Sequence, residues 1–202
     1  MSTAAVPPVV SRREARTAQP AQRGPHWLLR LPLALALAAV AIALFITERT
    51  MRGYEIAMSG KLLPFLFASD ALTAESNGSP IVLFKQGDTW LGLRMTAECS
   101  IAFYVGAILL FAALMMLIPR FAILRVLLAS AIAVTTMVLL NQVRLAALAW
   151  VFGAHGRETF EWAHSIGGSV LMIGGLAVTL TLFFFVVVRG GRRARQARKD
   201  EG

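Results

Sequence analysis

The chain has 202 residues, of which 57% are hydrophobic and only 15% charged, an apolar content too high for an ordinary water-soluble domain. A formal net charge of +9 would point to nucleic acid in a soluble protein, but here the arginines lie mainly at the two ends of the chain, where they read as topology signals. The single cysteine excludes an internal disulfide and a multi-cysteine metal site, which leaves a buried small residue, a lipid attachment point or a nucleophile.

Residues 1–26, rich in Ala, Pro, Gln and Arg and without hydrophobic periodicity, read as a disordered tail. Trp27 to Thr47 is an apolar run of about the ~20 residues that cross a bilayer as a helix, with Arg30 near its start, placed to snorkel to the interface. Thr47-Glu48-Arg49 closes the run without a small-x-small cleavage site, so a span is the better reading than a signal peptide. Residues 48–98 form the most polar stretch between the tails and are expected as one extracytoplasmic loop. Its first part, Thr50 to about Leu72, mixes Met51, Tyr54, Ile56, Leu62, Leu63 and Phe65 with charges, as an amphipathic segment lying on a membrane does. Pro64 is expected to break or kink it. Residues 74–80 read as a turn-rich break. After it, Ile81-Val82-Leu83-Phe84 and Thr89-Trp90-Leu91-Gly92-Leu93 flank Lys85-Gln86-Gly87-Asp88, the pattern of a β-hairpin.

Further apolar runs predict spans at about 99–119, at 121–143 or beyond, and at 163–188, with a short polar connection over 153–162 and a basic tail over 189–202. The fold class is thus an all-α integral membrane protein of about four transmembrane helices, its loop carrying the amphipathic segment and the hairpin. Four spans place the N-terminal tail, the turn bearing Arg120 and Arg125, and the C-terminal tail on one side. Nearly all the unbalanced positive charge lies in those segments, so both termini are expected in the cytoplasm of a multi-pass plasma-membrane protein. The basic C-terminal cluster fits anionic lipid more simply than nucleic acid. Gly167-Gly168 and Gly174-Gly175 point to close packing of the last span.

With that topology three reactive residue types fall at the outer membrane face: Cys99, Arg144 and His164. An arginine inside an apolar stretch costs on the order of 2.5 to 3.5 kcal/mol and is rare without a partner or a task; Asn141 lies three residues before it on the same helical face. Cys99 follows Thr96-Ala97-Glu98 at a span boundary, where a thiol can be accessible and a neighbouring cation favours its thiolate. Taken singly, each has a plainer reading: a small buried thiol, an arginine snorkelling to headgroups, a histidine at the interface. His155 and His26 rival His164, which is preferred because Ser165-Ile166-Gly167-Gly168 carries it into a closely packing helix. A cysteine nucleophile, a histidine proton shuttle and an arginine facing an oxyanion are the parts that acyl transfer through a thioester needs. No His, Cys and carboxylate set stands at metal-ligand spacing, and no cofactor is expected.

Glu98-Cys99-Ser100, then Asn141-Gln142-Val143-Arg144, then His164 with Gly167 and Gly168, resembles the exosortase/archaeosortase family in order, spacing and shared membrane face, over about Tyr54 to Val188. The resemblance implies a membrane-embedded cysteine transpeptidase or protease with Cys99 as nucleophile and Arg144 and His164 as partners. It also implies substrates that are exported proteins bearing a C-terminal motif, a transmembrane helix and a basic tail. Many members have about eight spans, so this chain resembles a compact form. The competing expectation is a non-enzymatic assembly partner of an export or surface-polysaccharide system, in which the three residues only support helix packing.

Overall fold

The protein is described here by a computed structural model that covers residues 26–67 and 70–200. Helix α1 (His26–Ile46) leads into α2 (Glu48–Phe67), followed by strands β1 (Ala71–Ser76), β2 (Ser79–Gln86) and β3 (Thr89–Arg94). A 3-10 turn at Ala97–Cys99 precedes α3 (Ala102–Leu117), and α4 (Ile123–Trp162) joins α5 (Gly168–Asp200) through a π-helical turn at Ala163–Gly167. The tail expected over 1–26 lies outside the described residues except for its last, which begins α1.

Leu28–Ile46 and the helical run Ile123–Val188 are long and apolar enough to cross a membrane, whereas α3 is apolar but shorter. Leu31, Leu35, Ile42, Ile173, Val178 and Leu182 on α1 and α5 are exposed, a surface that suits lipid better than water. Between the helices lies one core, built from Ala41, Ile108, Ala112, Met116, Met137 and Phe183 among others. Gly168 and Gly175 face α4, where added Cβ atoms would meet Arg144 and Leu140, while Gly167 and Gly174 have nothing within 4 Å. Close packing therefore falls on one glycine of each pair, seven residues apart on one helix face.

Arg30 does more than reach an interface. Its guanidinium donates to the carbonyls of Met116, Ile118, Pro119 and Phe121 at 2.7–3.3 Å, at and just beyond the end of α3, where intrahelical donors run out. A charged side chain from α1 thus finishes a helix from elsewhere in the chain.

A second core lies above the first and joins Ile56 and Leu63 of α2, Val82, Phe84 and Leu93 of the sheet, Met95 and Cys99 beyond β3, and Leu145 and Ala149 of α4. The sheet is antiparallel in the order β1-β2-β3. The expected hairpin is β2 and β3; the third strand corrects the reading of residues 74–80 as a simple break. Asn77 (φ 48°) and Gly78 (φ 68°) form the tight turn between β1 and β2, a two-residue connection in which both positions need positive φ. The amphipathic segment is helix α2, and it continues through Pro64 to Phe67 rather than breaking there.

The region expected as the end of the third span and a polar connection is helical. α4 runs without interruption past Arg144 and deviates only at Gly156 (φ 77°, ψ −171°). Glycine adopts that backbone without steric penalty, and the bend lets residues 157–167 fold back over the sheet side of the molecule. Cys99 lies in the 3-10 turn ahead of α3 and not in the helix itself.

Candidate active site

The three residues singled out from sequence meet. Cys99 Sγ lies 3.6 Å from His164 Nε2 and 3.8 Å from Nδ1, and 3.9 Å from Arg144 Nη2. Each arrives on a different segment: the turn before α3, the middle of α4, and the π turn before α5. The extra residue of a π turn shifts the side chains that follow it, a distortion frequent at functional sites. Being nearly equidistant from both ring nitrogens, the sulfur can pass its proton to either after a small turn of the ring.

His164 is held by a train of aromatic contacts. Its ring stacks on Phe160 at 5.6 Å between centroids, Phe160 packs on Phe152 at 5.0 Å, and Phe152 meets Phe84 of β2 edge-on at 6.5 Å. The imidazole is thereby tied to the sheet. His155 is exposed and packs edge-on against Trp150, so it takes no part in the cluster; the side chain of His26 is not among those described.

Arg144 is 4% exposed, and its Nε and Nη1 are buried without hydrogen-bond partners. Buried unsatisfied donors are rare and call for a reason, and a buried unpaired charge is more costly still. Gly168 makes the arrangement possible, since a Cβ there would stand 2.6 Å from Arg144 Nε. Cys99, 2% exposed, also accepts a contact from Thr96 Oγ1 at 3.6 Å. Burial pushes its thiol up, but hydrogen bonding with His164 and Thr96 and the charges of His164 and Arg144 outweigh it, so the thiol sits below its ordinary range.

A cavity of about 350 Å³ adjoins the sulfur. Ile56, Leu145, Leu148, Phe152 and Phe160 give it apolar walls; Gly92 to Thr96 form one side, and Arg94, Arg157 and Glu161 bring charge to it. Cys99 and His164 line this cavity, but Arg144 does not. The guanidinium lies behind the sulfur instead of projecting into the space.

Sequence reasoning missed the carboxylate that assembles these parts. Glu55 of α2 is 8% exposed. Its Oε1 accepts from Ser100 Oγ at 3.2 Å and from the Ile101 N–H at 3.1 Å, and its Oε2 accepts from Asn141 Nδ2 at 2.6 Å. One carboxyl thus caps the start of α3 at Ile101, two residues beyond Cys99, and grips α4 one turn before Arg144. Burial pushes Glu55 up to about 7, against the lowering effect of the bonds from Ile101, Ser100 and Asn141. Ser59 adds a second tie, donating to Gln142 Oε1 at 2.9 Å. The available signal was the spacing Glu55, Ile56, Ser59, Leu63, which is one helical face carrying both apolar and polar residues inward.

At the sheet end, Pro80 has no N–H to offer the strand opposite. The Met95 N–H donates to Pro80 O at 3.0 Å, and the Met95 carbonyl accepts from Arg52 Nη1 at 3.3 Å. Arg52 in turn pairs with Glu48 at 2.8 Å. The chain leading from β3 into Cys99 is therefore fixed by α2 on both sides of the turn. No family model, curated protein or solved structure matches this chain. Among the described residues no group of three or more His, Cys, Asp or Glu side chains could hold a metal ion.

Proposed function

We propose that the chain is a membrane-embedded cysteine transpeptidase or protease of the exosortase/archaeosortase kind, cleaving C-terminal sorting signals of exported proteins at the outer face of the plasma membrane. The observation that carries the reading is the convergence of Cys99, His164 and Arg144 from three separate segments at 3.6–3.9 Å, with two buried Arg144 donor groups left over. In the proposed topology, α1, α3, the lower part of α4 and α5 are the four spans, and α2, the sheet and the 157–167 segment lie outside. Both termini are cytoplasmic, in keeping with the basic charge at the chain ends and at Arg120 and Arg125.

In the proposed cycle, His164 takes the Cys99 proton and the thiolate attacks a peptide carbonyl carbon. A C–S bond forms as the carbonyl electron pair moves to oxygen. The intermediate collapses, the C–N bond breaks, and His164 returns the proton to the leaving amine. The thioester is then released by an amine, a lipid headgroup or water, which gives its proton to His164 as the thiolate departs. Arg144 stabilises the negative charge on sulfur from behind and has donor capacity to spare for the intermediate.

The test is expression of the wild type and Cys99→Ala in membranes with an exported reporter bearing a C-terminal span and basic tail, followed by size on a blot. Processing by the wild type and none by the variant is the expected result. Processing that survives in Cys99→Ala removes the nucleophile and leaves the structural role as the better reading.

A further inference from the structure

The sheet has an edge that ends in the cavity beside Cys99. Strand order β1-β2-β3 leaves β3 unpaired on its outer side, and no other described strand pairs with it. In an antiparallel ladder, successive residues turn their N–H and C=O groups alternately toward and away from the partner. The Met95 N–H donates to Pro80 O, and the register pairs Leu93 with Val82 and Leu91 with Phe84. Leu91 and Leu93 therefore spend both backbone groups on β2, and Met95 spends its N–H there. Trp90, Gly92 and Arg94 direct theirs to the open edge, and Gly92 and Arg94 line the cavity that contains Cys99 and His164.

Exposed edges are hazards that proteins usually shield with proline, a covering element or an inward charge. The cavity segment of β3 contains no proline, and the Arg94 guanidinium is turned aside to Ser79 Oγ at 3.0 Å. Gly92 carries no side chain that would hold another backbone away. Two unspent pairs of backbone groups, one residue apart, thus face an apolar space next to a nucleophile.

We infer that β3 is the substrate-binding strand: an extended peptide adds to its free edge, pairs with the backbone of Gly92 and Arg94, and is thereby carried with its scissile carbonyl to Cys99. Main-chain bonds supply affinity without reading sequence, and side chains at alternate positions enter the pocket. The walls at Leu145, Leu148, Phe152 and Phe160 select an apolar residue there. The occupant is thus an extended, apolar segment of a peptide, the form that the chain outside a membrane span can take. This inference rests on the cysteine acyl-transfer reading above.

The test uses the full chain in nanodiscs and the alkylation of its single cysteine, read by intact mass. The probes are chloroacetone and an N-acetylated tetrapeptide chloromethyl ketone of leucine and alanine, which share one reactive group; in both, the thiolate displaces chloride and a C–S bond forms. The peptidyl probe is expected to react at least tenfold faster than chloroacetone. N-methylation of its amides one at a time should slow it about tenfold at alternate positions only, the period of a strand and the size of one lost hydrogen bond. Arg94→Pro, which removes an edge-facing N–H and spares the β2 ladder, should bring the ratio of the two rates toward one. A wild type with no peptidyl advantage, or an advantage that N-methylation leaves intact at every position, overturns the strand inference; because the methylated probes act on the wild type, either result holds whether or not the proline variant folds. The parent reading fails separately: chloroacetone would then react with Cys99 no faster in the wild type than in His164→Ala, and the strand inference would fall with it.

Discussion

Replacing Glu55 by glutamine should change how the stability of this protein depends on pH. The carboxyl is raised to about 7 in the fold from 4.5, so the folded state binds more protons than the unfolded state between those values. The stabilisation from this group is fully present below the unfolded value and is lost as pH rises through about 7. Between pH 5 and 8 the loss is about 2.5 kcal/mol, obtained by integrating the linkage relation over the two values. The protonated carboxyl also has an acceptor at hand: Asn141 Oδ1 is buried and without a partner, and a turn of that amide presents it to the Glu55 hydroxyl. Glutamine keeps one carbonyl acceptor and places an NH₂ where the proton was, so it holds the neutral arrangement at every pH. The expected result is that Tm of Glu55→Gln minus Tm of the wild type increases by roughly 5–10 °C between pH 5 and 8, at about 2–4 °C per kcal/mol. Intrinsic tryptophan fluorescence during heating in nanodiscs measures it. Parallel curves for the two proteins would refute the protonation argument, because a carboxyl ionised in the fold throughout adds almost no pH dependence above its unfolded value of 4.5.

Arg144→Lys should lose reporter processing nearly as completely as Arg144→Ala, by roughly a hundredfold, since an ammonium lacks the planar guanidinium that puts Nη2 at the sulfur and keeps Nε and Nη1 free beside it; substantial activity in the lysine variant, measured on the same blots, would remove that role. Gly168→Ala would place a methyl 2.6 Å from Arg144 Nε, and the arginine must shift because the glycine is backbone within a helix. Overpacking of this kind costs about 1–3 kcal/mol, and the variant should fold, lose a few degrees in Tm and show slower alkylation of Cys99; an unchanged alkylation rate would mean that Arg144 does not act on the thiol.

The three clustered residues were legible because each broke a local rule: one thiol in the whole chain, one arginine deep in an apolar run, one histidine followed by paired glycines. The expected topology put all three at one membrane face, although Arg144 lies in the middle of α4 and not at a segment end. The hairpin β2–β3 was legible from alternation and its turn. β1 was not, although Asn77-Gly78 is the stronger turn signal, because Ala71 to Ser76 is exposed over most of its length and shows no apolar alternation. α2 was read as resting on a membrane because Tyr54, Met58 and Phe65 are apolar. Those residues are exposed, while the opposite face turns Glu55 and Ser59 inward beside Ile56 and Leu63, so that only the spacing of those four signals it. Nor could spacing show that Arg30 closes α3, since the partners are backbone carbonyls more than eighty residues away.

Cys99 and Glu55 make an instructive pair, being two acidic groups on either side of the same short turn, both buried, with opposite shifts. Burial alone raises both. The donors around Glu55 are neutral: an amide N–H, a hydroxyl and a side-chain amide. Around Cys99 they include His164 and the unpaired guanidinium of Arg144. At Glu55 the neutral donors do not overcome burial, whereas at Cys99 hydrogen bonding with His164 and Thr96 together with the charges of His164 and Arg144 does, so the carboxyl is pushed up to about 7 and the thiol is drawn down. The fold thus directs its buried cation to the sulfur and leaves the carboxyl to tie α2 to the start of α3 and to α4, and groups whose environments push their protonation apart in this way are frequent at functional sites.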